Sequence, residues 1–206
     1  MKTPILLIGL LVLVLFKNNS YADSPLTSTP FAEAYKTEAI VVKAANSEGV
    51  LTKELMGYLA EKNNPIAIKM AIINQLGWDF SGTSKSTDYL DYLKSIGRCK
   101  SQNDLLKKGQ KDDLLCMAYI KAMDNYFEVD AAIKFAEAAV KKNPKSYTFH
   151  IILALIKAQK AMGTDWCQVY QLAHAVHTNT MLNRDMNDDA IKIIFDYMDL
   201  YKEECK

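Results

Sequence analysis

VDAAIKFAEAAVKKNPKSYTFHIILALIKAQKAMGTDWCQVYQLAHAVH, residues 129–177, is the stretch whose reading decides the fold. Asn143-Pro144 and Gly163-Thr164 cut it into three segments at 129–142, 146–162 and 165–177. Proline cannot continue a helix, and glycine commonly closes one. In the first segment Ala132, Ala136 and Ala139 recur at the helical spacing of four and three, giving one small-residue face. The middle segment is strongly apolar, with Ile151, Leu155 and Ile156 expected in a core. Short breaks between amphipathic helices mean antiparallel neighbours.

The same period continues on both sides, and strand alternation is nowhere sustained. Towards the N-terminus, helices are expected at 31–47, 50–62, 65–76 and from Ser84 or Ser86 to about 96. The 65–76 segment is nearly all apolar and needs burial on most sides. Residues 98–111 are polar, with at most one helical turn around 104–107, and a helix follows over 112–127. A polar connection at 178–187 leads to a last helix over 188–204. The expectation is an all-α chain of about nine helices, arranged as stacked antiparallel hairpins or as an irregular helical bundle.

Residues 113–180 resemble tetratricopeptide repeats, whose unit is a 34-residue helical hairpin. With Pro144 on the closing proline, Ala132 and Ala139 fall on the small packing positions and Ala136 on the apolar slot between them. One unit further on, Leu153, Ala154, Tyr170 and Ala173 occupy matching positions. His150, Lys157 and Trp166 depart from the pattern, and position 178 has no closing proline. The resemblance covers about a third of the chain and implies a protein-interaction scaffold with a groove.

The N-terminus supplies an address. Lys2 precedes an apolar run from Pro4 to Phe16, then Ser20-Tyr21-Ala22 offers small residues before Asp23. That is the layout of a secretory signal peptide over residues 1–22, with an apolar run too short to span a bilayer. Residues 23–30 read as a flexible leader and 31–206 as a single helical domain. Removing 1–22 takes away Lys2 and Lys17, leaving 23 basic against 24 acidic side chains. That balance argues against nucleic acid as a partner. Only Arg98 and Arg184 are arginine, and the lysine-heavy usage leans towards a bacterial source. The expected location is therefore periplasmic or secreted, with no membrane span after cleavage.

Four cysteines in an exported chain read as two disulfides. Cys167 and Cys205 fall at neighbouring ends of two helices, and Cys99 and Cys116 flank the polar 98–111 segment, so these are the expected pairs. His174 and His177 share a helix face, and His150 would lie level with His177 across an antiparallel hairpin. No Glu-x-x-His or fourth ligand accompanies them, so no metal or cofactor is expected. Asp185, Asp188 and Asp189 read as acids at a helix start rather than a cation loop.

No nucleophile elbow, phosphate loop, zinc-protease helix or nucleotide fingerprint occurs, so the sequence does not point to an enzyme. The candidate partner-binding residues are His150, Lys157, Tyr170, His174 and His177, with Trp78 and Phe80 in a glycine-bounded aromatic loop. The leading expectation is a non-catalytic exported scaffold or adaptor that binds a protein or peptide. The alternatives are an inhibitor or immunity-type protein neutralising a toxin or hydrolase, and a small histidine-centred metal or enzymatic site.

Overall fold

The computed structural model describes residues 24–78 and 84–206. The signal-peptide reading of 1–22, and Asp79 and Phe80 of the aromatic loop, lie outside the described residues. Among the described residues the fold is all-helical, with a lone parallel bridge between Ser146 and Asn183.

The expected flexible leader is a correction: residues 24–30 pack inward, with Leu26 and Thr29 fully buried. Asn74 fixes them, donating its amide to the Thr29 carbonyl (3.1 Å) and accepting from Ala32 N (2.9 Å). The first expected helix is also divided. A 3-10 turn at Phe31–Tyr35 is followed by α1, Ala39–Ala45, with Glu38 extended between them. The break lets Tyr35 reach across the molecule, where its hydroxyl accepts from Asn187 N at 2.9 Å.

Then come α2 (Lys53–Ala60), α3 (Ile66–Leu76), α4 (Lys85–Ser95), α5 (Gln102–Lys108) and α6 (Lys111–Asp124). The remaining helices are α7 (Asp130–Lys142), α8 (Tyr147–Ala161), α9 (Trp166–His177) and α10 (Asp188–Met198), and a 3-10 turn closes at Asp199–Glu204. Side-chain caps set several starts: Thr52, Ser84, Ser101, Ser146, Asp165 and Asn187 each accept a backbone N–H in the first turn. Ser101 explains why 98–111 holds a seven-residue helix rather than a single turn.

α6 lies at the centre, with α2, α3, α4, α5, α7 and α8 around it. Its run Leu114–Ile120 is apolar on every side, and such a helix folds only inside a core. The closest packing is between consecutive partners, α6 with α7 and α8 with α9. The α7–α8 contact joins these two hairpins, and Ala132, Ala136 and Ala139 are buried.

Charges also enter the interior around α6. Lys69 Nζ, wholly buried on α3, is 2.8 Å from Asp112. Arg98 is 3.3 Å from the buried Asp113 and donates to the Ala60 carbonyl at 2.9 Å. Only one of the two expected disulfides is present. Cys167 and Cys205 are bonded, whereas Cys99 and Cys116 are free and buried. α6 turns Cys116 inward towards Tyr89 of α4 rather than back along the chain to Cys99, and burial pushes both thiols above their ordinary range.

Candidate functional site

α7, α8 and α9 together leave a furrow open. Ile133 from α7 and Leu172 from α9 stand either side of Lys157, Lys160 and Ala161 from α8. They enclose a hollow of about 490 Å³. A second hollow of about 240 Å³ adjoins it, walled by Tyr126 and Phe127, Glu128 and Asp130, and Gln159 and Met162. Lys160 lines both and is paired with Asp130 between them, so the groove is a pair of neighbouring hollows, one at the α6–α7 turn and one reaching α9.

The groove is part apolar and part charged. Lys157 pairs with Glu137 at 2.8 Å and Lys160 with Asp130 at 2.6 Å, both across α7 and α8 and both well exposed. Such exposed pairs contribute about 0–1 kcal/mol and so cost little to break. Gln159 Oε1 is buried with no hydrogen-bond partner, although an interior acceptor normally finds one. Phe127 is 72% exposed beside this end. Its ring lies 4.3 Å from Tyr126, which in turn meets Trp78 edge-on at 6.1 Å.

The structure divides the residues expected at a partner site. Lys157 lies in the groove, and Trp78 borders its aromatic end through Tyr126. His150, on α8, is half-buried, and its Nε2 donates to the Pro144 carbonyl at 2.9 Å. The other three gather on the side of α9 away from the groove. Tyr170 is buried, stacks on the exposed His174 and hydrogen-bonds its Nδ1 at 3.0 Å. His177 tilts against Phe195 of α10 at 4.2 Å, with its Nδ1 buried and unpartnered. Burial lowers its pKa, with Arg184 and His174 adding to the effect. His150 and His177 therefore have separate surroundings, and the described residues hold no His, Cys, Asp or Glu group fit for a metal ion.

Sequence reasoning missed Lys160, Gln159, Ile133 and Leu172. A signal was present: Lys157 and Lys160 are three apart on the helix, with Leu153 on the same side. Asp185 is a further correction. Its carboxylate accepts from Thr148 N at 2.8 Å and Thr148 Oγ1 at 2.9 Å, and from Ser146 Oγ, so it caps α8 rather than α10. No helix among the described residues is long and apolar enough to cross a membrane. Comparison with known families, characterised proteins and solved structures finds no match.

Proposed function

We propose that the protein is an exported helical adaptor that binds a segment of another protein along the α7–α8–α9 groove. The observation that carries this is the larger hollow, where Ile133, Ala161 and Leu172 give an apolar floor beside Lys157, next to a second hollow that shares Lys160. The apolar floor offers burial and the polar rim offers orientation, the usual division of labour in a recognition surface. The resemblance to tetratricopeptide hairpins agrees with the pairing of α6 with α7 and α8 with α9, and with buried alanines at the small packing positions. Export is supported by the pattern of residues 1–22 and by the Cys167–Cys205 bond. The mixed wall offers no nucleophile–base pair, and the reading is non-catalytic.

The test is capture of the partner from the native compartment with the wild-type protein and with a Leu172→Glu variant, compared by mass spectrometry. A partner held by the wild type and lost from a folded Leu172→Glu protein supports the groove. Equal recovery by both proteins rejects it.

A further inference from the structure

We propose that the groove selects a segment with opposite charges at its two ends. A carboxylate side chain lies over Lys157 towards α9, and a cationic side chain enters the hollow beside Glu128. This rests on the groove being the recognition surface and adds the chemistry of its occupant.

The walls themselves are polarised. The larger hollow is lined by Lys157 and Lys160 and by no carboxylate. The smaller one is lined by Glu128 and Asp130, with Lys160 at the junction already held by Asp130. The carboxylate that neutralises Lys157, Glu137, stands outside the lining of the larger hollow, so an incoming acid can take its place at an exposed pair.

At the acidic end Asp130 is already paired with Lys160, and an ammonium or guanidinium group entering the hollow would answer Glu128. The space suffices: about 240 Å³ exceeds the roughly 150 Å³ cavity that accepts benzene. Selectivity follows from repulsion as much as attraction. A wholly acidic segment meets Glu128, and a wholly basic one meets Lys157. The apolar floor at Ile133, Ala161 and Leu172 lies at the basic end, so an apolar residue should sit next to the acid.

A displayed random-peptide library selected on the full mature chain tests this. The wild type should enrich peptides that carry an acid, a base and an apolar residue beside the acid. Selection on Lys157→Glu should lose the acid, and selection on Glu128→Lys should lose the base. Each reversal should weaken a wild-type-selected peptide about tenfold, equivalent to about 1.4 kcal/mol. Lys157→Gln, neutral and helix-compatible, should fall between the two and shows that the fold is kept. Charge-blind peptides, or reversals that leave affinity unchanged, overturn the bipolar proposal while leaving the groove intact. A library that yields no binder overturns the groove reading as well.

Discussion

Lys69 Nζ lies 2.8 Å from Asp112 Oδ2, with the lysine side chain wholly shielded and the carboxylate 15% exposed. The pair ties α3 to the first turn of α6, the helix around which α2, α3, α4, α5, α7 and α8 pack. An interior lysine loses hydration that only a close counter-charge offsets. Lys69→Met should therefore destabilise the protein by about 2–4 kcal/mol, below the top of the usual range because Asp112 keeps some contact with water. Lys69→Met combined with Asp112→Asn should recover much of that loss. Urea unfolding of the single and double variants gives the coupling directly, and additive losses would show that the two side chains act independently.

The neighbouring Asp113 gives a pH signature. Burial raises its pKa from 3.8 to about 6, against the opposing pull of Arg98 and Lys69. A carboxyl raised on folding favours the folded state most below its unfolded value, and that benefit disappears as pH rises through about 6. Stability relative to an Asp113→Asn variant should thus increase from pH 7.5 down to about pH 4, by at most about 3 kcal/mol at 1.36 kcal/mol per unit. Denaturation midpoints of both proteins across this range decide it. A flat difference would place an ordinary carboxyl at this position.

How much of this was legible in the sequence depends on how far apart the interacting residues lie. Residues 129–177 announce their three helices through local period and breakers, and α7, α8 and α9 start and end close to those limits. Cys167 and Cys205 are found because helix ends in a hairpin are predictable neighbours. Lys69 stands out in sequence as a polar exception, but its partner lies 43 residues away. Asp185 reaches 37 residues back to cap α8, and no local rule assigns a cap across that distance. Cys99 and Cys116 mislead for the opposite reason: they are close in sequence, yet α6 commits Cys116 to the core. In the groove, Lys157 was visible as a break in a repeat pattern, whereas Gln159 matters only because its oxygen is left unpaired.

The cysteines separate cleanly by chemistry. Native protein should show no reactive thiol, since Cys116 is fully buried and Cys99 nearly so, and denatured unreduced protein should show two. Reducing Cys167–Cys205 opens a constraint of 38 residues and should cost up to about 4 kcal/mol on the chain-entropy model. Thiol titration with and without denaturant tests the first statement, and unfolding before and after reduction tests the second. A denatured count of zero would restore the Cys99–Cys116 bridge.

Asp185→Ala should cost about 1–2 kcal/mol, the usual value of a lost helix cap, because Thr148 N would lose its carboxylate acceptor. Asp185→Asn should cost less, since its amide oxygen can still accept. Thermal melts of the two variants rank them, and equal losses would assign the effect to charge rather than to capping.

The last prediction separates the two faces of α9. His174 is exposed and its ring rests on Tyr170, so His174→Ala should leave stability within about 0.5 kcal/mol, as for most surface substitutions. His177 packs against Phe195 with a buried nitrogen, so His177→Ala should cost about 1 kcal/mol through lost ring contact. Both should retain the partner, because the groove lies on the other side of the helix, at Gln168 and Leu172. Leu172→Glu should keep the fold, being only half-buried, while placing a carboxylate and its hydration on the apolar floor. Melting curves and capture yields on the three variants answer both questions at once. If His174→Ala lost the partner and Leu172→Glu kept it, recognition would belong to the α9–α10 side, where Arg184, Phe195 and Asp199 border a separate hollow of about 390 Å³.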